Sequence, residues 1–385
     1  YGGNVMKWTK SVKTFATVCT TLAVILFISG CNSAQNKTGD STPATFSGST
    51  LSATESRIQS PARDSSSPPT YTQYHLNMDF LSQSTGYMSF DVTNGLNDQS
   101  DTITGVKKYF LKTTDGGITW ATISNKSNVA FADFINTKAG YCLEDTSDNP
   151  GSTAYTLAKT INGGANWSSI RFGDGNIASL QAVGLNVLFA TAGELPKGQD
   201  DVGSLKVYRS VNGGSGWVPI KTPPVYHRQG LSAMYWLSAA EGYVMCMEYT
   251  GQGNISPKTL YYTRNGGSTW SIRARSDDPT NGTKVAVGKM SGAGRGMGSM
   301  YFYSDGVGYY NSLSESIFKT SNRGSDFFSV NPHGNYGESI SDFDMVNEHT
   351  GYAYINETDT LYRILNGGTN WQAVITPEKI ASQLQ

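Results

Sequence analysis

The sequence predicts an all-β protein: a β-propeller of four-stranded antiparallel blades, six in number, with seven as the alternative. Three observations carry that expectation. A turn motif recurs six times along the chain, and a Gly-Tyr pair recurs ahead of it five times. Charged residues make up only 15% of the 385 residues, whereas Gly numbers 43 and aromatics reach 11%. That balance suits short ring-bearing strands joined by many turns. The formal net charge of −1 argues against a broad nucleic-acid-binding surface.

The chain begins with a segment of a different kind. Met6 reads as a start, followed by Lys7, Lys10 and Lys13 and then an apolar run from Ala16 to Gly30 that ends Ile28-Ser29-Gly30-Cys31. A basic stretch ahead of a short apolar core is the secretory pattern. The run is shorter than the roughly 20 apolar residues of a membrane span. Its ending resembles the lipobox of bacterial lipoproteins. The resemblance implies that residues 1–30 are a signal peptide and that Cys31 becomes the lipidated first residue. The alternative is an uncleaved signal anchor with an incidental Cys. Acyl chains hold by burial, about 0.8 kcal/mol for each CH₂, and two chains make the attachment stable. The protein is then expected in the cell envelope, lipid-anchored on the extracytoplasmic face of the membrane.

Residues 31–72 are rich in Ser, Thr and Pro and nearly free of large apolar side chains. Such a segment buries too little surface to offset its ordering entropy, so it reads as a disordered tether. The propeller is expected over 73–385.

The copies of the turn motif are Lys112-Thr-Thr-Asp-Gly-Gly-Ile-Thr-Trp120, Lys159-Thr-Ile-Asn-Gly-Gly-Ala-Asn-Trp167 and Arg209-Ser-Val-Asn-Gly-Gly-Ser-Gly-Trp217. Then come Tyr262-Thr-Arg-Asn-Gly-Gly-Ser-Thr-Trp270, Lys319-Thr-Ser-Asn-Arg-Gly-Ser-Asp-Phe327 and Arg363-Ile-Leu-Asn-Gly-Gly-Thr-Asn-Trp371. Their acidic or amide residues, Asp115, Asn162, Asn212, Asn265, Asn322 and Asn366, are 47, 50, 53, 57 and 44 residues apart. Periods of this size belong to propeller arrays. The Asp or Asn can accept hydrogen bonds from its own turn, and the Gly pair supplies positive φ. The ring at the end, Trp120, Trp167, Trp217, Trp270, Phe327 or Trp371, is expected on the following strand, filling the gap between blades.

The second element is the pair Gly86-Tyr87, Gly140-Tyr141, Gly242-Tyr243, Gly308-Tyr309 and Gly351-Tyr352, mostly behind a short apolar strand and a polar turn. The third repeat lacks the pair but keeps an apolar strand, Val187 to Ala190. Each unit thus reads as four strands, the makeup of a blade. Both termini look able to donate a strand to close the ring. Cys142 and Cys246 fall on equivalent strands of non-neighbouring blades, too far apart to bridge, and read as buried thiols. No Cys/His spacing suggests a metal site.

The turn motif resembles the BNR or Asp-box repeat of sialidases, sortilin-type receptors and xyloglucanases. Together with the Gly-Tyr element it is most similar to the photosystem II assembly and stability factor family and its relatives, over residues 73–376. The resemblance implies a propeller in which the box is a structural turn, not a catalytic site. It implies seven blades in the photosystem factors themselves, against six boxes in this chain.

Chemistry is harder to find. The resemblance to sialidases would require an early Phe-Arg-Ile-Pro motif, which is absent. Arg209 and Arg363 share a repeat position with Lys112, Lys159 and Lys319 and read as solvated strand positions, not a carboxylate clamp. Asp174, Asp200, Asp201, Asp277, Asp278, Glu338, Asp342 and Asp344 fall in variable segments and read as solvated, although a pair across a channel would permit glycoside hydrolysis. Gly288 to Gly298 is Gly-rich but lacks the strand-then-helix setting and the Gly-Lys-Ser/Thr of a phosphate cradle, so it reads as an inter-strand loop. The 22 tyrosines read as core and inter-blade packing. The expected function is a membrane-tethered, non-enzymatic binding or assembly scaffold, with a protein partner on the loop face and no cofactor. The alternative is a cell-surface glycan-binding protein or glycoside hydrolase.

Overall fold

The computed structural model describes residues 71–384, apart from 97–104, 124–125, 127, 147–154, 173–176, 194–204, 225–228, 249–256, 277–287, 291–296, 313–315, 331–339 and 357. The segment expected to be a signal peptide, with Cys31, and the expected tether up to residue 70 lie outside the described residues. The strands begin at Tyr71, slightly ahead of the expected boundary.

Six sheets follow one another along the chain, each meandering antiparallel in sequence order. Blade 1 holds β1 (Tyr71–Phe80), β2 (Gly86–Leu96), β3 (Gly105–Thr113) and β4 (Ala121–Thr122). Blade 2 holds β5 (Val129–Phe134), β6 (Gly140–Asp145), β7 (Tyr155–Thr160) and β8 (Ser168–Ile170). Blade 3 holds β9 (Ile177–Ala182), β10 (Leu188–Ala192), β11 (Lys206–Ser210) and β12 (Val218–Pro219). Blade 4 holds β13 (Gln229–Trp236), β14 (Gly242–Glu248), β15 (Lys258–Thr263) and β16 (Ser271–Ser276). Blade 5 holds β18 (Met297–Phe302), β19 (Gly308–Ser312), β20 (Ser316–Thr320) and β21 (Phe328–Ser329). Blade 6 holds β22 (Ile340–Met345), β23 (Gly351–Ile355), β24 (Thr360–Leu365) and β25 (Asn370–Ile375). The ring is six-bladed, so the seven-bladed alternative is set aside. Blade 4 carries an extra strand, β17 (Gly288–Met290), parallel to β16. The start of the Gly-rich stretch is therefore strand, not loop.

The Gly-Tyr element explains how blades stack. A Cβ on Gly86 would lie 2.5 Å from the Phe80 ring, so the ring at the end of β1 lies flat over a residue that must have no side chain. The next residue, Tyr87, then stacks on the equivalent ring of the following blade, Phe134, with centroids 3.6 Å apart. Phe189 on Trp236 (3.7 Å), Tyr243 on Phe302 (3.7 Å) and Tyr352 on Phe80 (3.5 Å) repeat the arrangement. Blade 3 lacks a Gly-Tyr pair because it solves the same problem in reverse. Leu188 pairs with Ala182, where Gly86 pairs with Phe80: the small residue has moved to the other strand.

Among the described residues no strand is exchanged at the ring junction. Blade 1 is wholly N-terminal and blade 6 wholly C-terminal, contrary to the expectation that a terminus donates a strand. Side chains close the ring instead. Tyr352 stacks on Phe80 and its hydroxyl donates to the Gln83 carbonyl at 2.8 Å, where the Arg363 guanidinium also donates. A C-terminal helix that the repeat did not announce, α1 (Pro377–Gln383), covers the junction. Its Ile380 is fully buried among blade 1 and blade 6 side chains. Gln383 accepts from the Trp120 N–H at 3.0 Å and donates to the Ile118 carbonyl at 3.1 Å. Cys142 and Cys246 are free and buried, on β6 and β14. Burial pushes the Cys246 thiol up to about 12.

Candidate functional site

The inner strands of all six blades surround a central cavity of about 360 Å³. One residue per blade, seven positions ahead of the Gly-Tyr glycine or its equivalent, sits at the same level: Asp79, Asp133, Gln181, Tyr235, Tyr301 and Asp344. Five of these residues form side-chain-to-backbone bonds to the next blade, and the sixth, Tyr235, packs its ring on Tyr301 with centroids 5.5 Å apart, which makes a belt around the ring. Asp79 accepts from the Phe134 N–H at 2.6 Å. Asp133 accepts from the Ala182 N–H. Gln181 accepts from the Trp236 N–H at 2.7 Å and donates to its carbonyl at 3.1 Å. Tyr301 donates to the Phe343 carbonyl at 3.1 Å, and Tyr303 to the Met345 carbonyl at 2.9 Å. Asp344 accepts from the Phe80 N–H and so closes the belt, with Asp342 accepting from Met78 N–H at 2.6 Å beside it.

The phenols in this belt stay protonated. Burial, reinforced by the charges of Asp133 and Asp344, raises the Tyr235 hydroxyl. Burial, with Asp344 and Asp342 next, raises Tyr301 further. Tyr301 therefore acts as a donor over the ordinary pH range. Of the acids read as solvated, Asp342 and Asp344 are instead 3% exposed and hydrogen-bonded on β22. Phe343-Asp344-Met345 alternates apolar and polar, which was the available sign of a strand with one face to the channel. Asp174, Asp200, Asp201, Asp277, Asp278 and Glu338 lie outside the described residues. Among the described residues no His, Cys, Asp and Glu cluster has the makeup to hold a metal ion.

The turn residues do a structural job. Thr113 donates to Asp115 at 2.8 Å and accepts from the Gly117 N–H at 2.9 Å, while Asp115 accepts from the Thr119 N–H at 2.9 Å. Asn162, Asn212, Asn265 and Asn322 repeat this with Thr160, Ser210, Thr263 and Thr320. Gly116 and Gly117 sit at φ of 77° and 91°, which explains the Gly pair. The sixth turn departs. Ile364 replaces the hydroxyl, and Asn366 itself turns left-handed at φ 51°. At Asp115, partial burial opposes ionisation, but the bonds from Thr119, Thr113 and Ile118 outweigh it and hold the carboxyl below its usual range.

The terminal rings do lie between blades, but mostly one residue ahead of the strand; only Trp371 is within one, β25. Trp167 packs edge-on against Phe110 of blade 1 and Phe134 of its own blade. Trp120 does so against Phe80, and its indole N–H bonds the Gly117 carbonyl at 2.9 Å. Trp217 packs on Phe172, Trp270 on Trp236 and Phe327 on Tyr310. The basic repeat positions are not simply solvated. Lys112, Lys159, Lys319 and Arg363 are half-buried, each with its charge 5.3–5.7 Å from the ring centre of the Gly-Tyr tyrosine. A cation over a ring face is attracted by its quadrupole.

The belt is the feature that sequence reasoning missed. Its signal was the constant spacing to the Gly-Tyr element, hidden because three residue types fill it.

No protein-family model matches the chain, and no curated protein matches it. Among solved structures, the chain is similar to YCF48 bound to a D1 peptide: 15% identity over 80% of this chain and 85% of that one, TM-score 0.42. It is similar to YCF48 from Cyanidioschyzon merolae at 16% identity, over 78% and 85%, TM-score 0.43. A GH74 xyloglucanase from Xanthomonas campestris is 12% identical over 74% of this chain and 53% of that one, TM-score 0.27.

Proposed function

We propose that this chain is a lipid-anchored, extracytoplasmic scaffold that holds a protein partner and catalyses no reaction of its own. One observation carries the reading. Asp79, Asp133 and Asp344, the carboxylates at the place where a hydrolytic pair would sit, each accept a backbone N–H of the next blade. A carboxylate committed to a buried amide is held as an acceptor and is poorly free to shuttle a proton. A rigid ring with varied connecting segments at its ends suits partner recognition. The anchor rests on the Lys-rich start and the Ile28-Ser29-Gly30-Cys31 ending.

Two measurements test it. Cys31→Ser should abolish incorporation of labelled palmitate and move the protein from the membrane to the soluble envelope fraction; unchanged labelling would refute the anchor. Cross-linking in intact envelopes should trap a specific protein on the full-length chain, and the absence of any reproducible protein adduct would refute the partner. Release of sugar from a neutral polysaccharide, lost in Asp79→Asn or Asp344→Asn variants that still fold, would overturn the scaffold reading.

A further inference from the structure

The six blades act as controls for one another, and blade 4 breaks the repeat at three positions that meet in space. Where the other turns open on Lys112, Lys159, Arg209, Lys319 or Arg363, blade 4 has Tyr262. Directly before the Asn stands Arg264, in place of Thr114, Ile161, Val211, Ser321 or Leu365. Eight residues after the Asn stands Arg273, where the other blades have Ile123, Ile170, Ile220, Val330 and Val374. Those aliphatic side chains plug the next blade's turn: Ile123 faces Gly164, Ile170 Gly214, Ile220 Gly267, Val330 Gly368 and Val374 Gly117. Arg273 gives up that role and lies over the Tyr262 ring, 4.3 Å from its centre. Its Nε is buried with no hydrogen-bond partner among the described residues. The Nε of Arg363, over the Tyr352 ring, is likewise unmet, so blade 4 is set apart by losing the aliphatic plug and the basic turn position together.

These residues line a recess of about 480 Å³ on the outer edge of blade 4: Tyr262, Arg264, Thr269, Trp270, Ser271 and Arg273. The lining holds two guanidinium groups, and the Glu241 carboxylate stands beside it, accepting from the Tyr262 hydroxyl. Exposed Arg264 is oriented by donating from Nε to the Tyr262 hydroxyl at 2.8 Å, which leaves its terminal nitrogens for a ligand. Trp270 is half-exposed and also departs from the repeat. Its indole N–H crosses to the Lys221 carbonyl at 2.7 Å, whereas Trp120, Trp167 and Trp371 bond their own turns.

The geometry points to a binding site for an anionic sugar, a hexuronate unit of a surface polysaccharide. Guanidinium forks match a carboxylate. An indole face and two side-chain hydroxyls suit a pyranose ring, which an isolated acidic side chain would not use. This site stands apart from the loop-face reading and does not depend on it.

The test is calorimetric titration of the full-length protein with tetragalacturonate, with its fully methyl-esterified form and with a tetraglutamate peptide. Tetragalacturonate should bind, and its affinity should fall about tenfold or more in Arg264→Gln and in Arg273→Ile. Arg273→Ile restores the residue type of the other blades, so its melting temperature should equal or exceed that of the parent. The methyl ester should bind at least about tenfold more weakly than the acid. Absence of uronate binding, or binding unaffected by either substitution or by esterification, would overturn the inference. Tetraglutamate binding as tightly as the uronate would also overturn it and identify the recess as a site for acidic peptides.

Discussion

The exchange of sizes between blade 3 and its neighbours can be transplanted. In blade 1 the ring of Phe80 lies over Gly86; in blade 3 Ala182 and Leu188 hold the same two positions. Gly86→Leu alone would place its Cβ 2.5–2.8 Å from three atoms of the Phe80 ring. That is well inside van der Waals contact, and such overpacking costs about 1–3 kcal/mol or more. Phe80→Ala alone empties a buried site and loses the stack on Tyr352, about 3–5 kcal/mol. The double variant gives the new Leu the space that the ring vacates. Its loss should be smaller than the sum of the two by about 2 kcal/mol, within the range for residues in direct contact. Urea unfolding of the four proteins, with midpoints compared at constant m, reads the coupling directly. Additivity within about 0.5 kcal/mol would refute the reasoning, because the clash and the cavity would then be unrelated.

Three further outcomes follow from the belt and the turns. Gln181→Ala strips both the Trp236 N–H and carbonyl of their partner and should cost about 1–3 kcal/mol in the same urea assay, against almost nothing for an exposed Gln→Ala substitution. Tyr235 and Tyr301 have raised folded pKa values, so the stability they contribute is full below the unfolded value near 10 and is lost as pH rises beyond it. On alkaline titration, their phenolate absorbance should therefore appear together with loss of the β-sheet circular dichroism; titration near pH 10 with the sheet intact would contradict the belt. Asp115 has a lowered folded pKa, so its contribution is present above about pH 4 and is lost as pH falls through the folded value. Asp115→Asn, which matches five other turns, should keep the neutral-pH melting temperature and flatten the acid limb of its pH profile.

Much of this architecture was legible because the chain repeats itself. The Asp or Asn, the Gly pair and the terminal ring are fixed by local turn geometry, and local geometry leaves fixed spacings. The belt was not legible, because any side chain that reaches a backbone amide of the next blade will serve, and Asp, Gln and Tyr all do. Blade 3 hid its stacking ring for a related reason: Phe189 does the work of a tyrosine whose glycine is missing. Helix α1 left no trace in the repeat, since its few residues matter through one buried Ile380 and one Gln383. The lysines over the tyrosine rings were misread because a recurring charge suggests solvent, whereas its aliphatic stem and ring contact suit a half-buried setting. The blade 4 recess was visible only as a set of exceptions, and exceptions acquire meaning once the rule has a structural reason.

The junction between blades 6 and 1 has a consequence for how the molecule can be cut and rejoined. Each joint among the described blades is made by side chains of whole neighbouring blades, with α1 laid over the one between blades 6 and 1, so none depends on a shared strand. A circular permutant that links the end of α1 to Tyr71 and opens the chain between blades 3 and 4 should therefore assemble the same ring, with the covalent break merely moved to another joint.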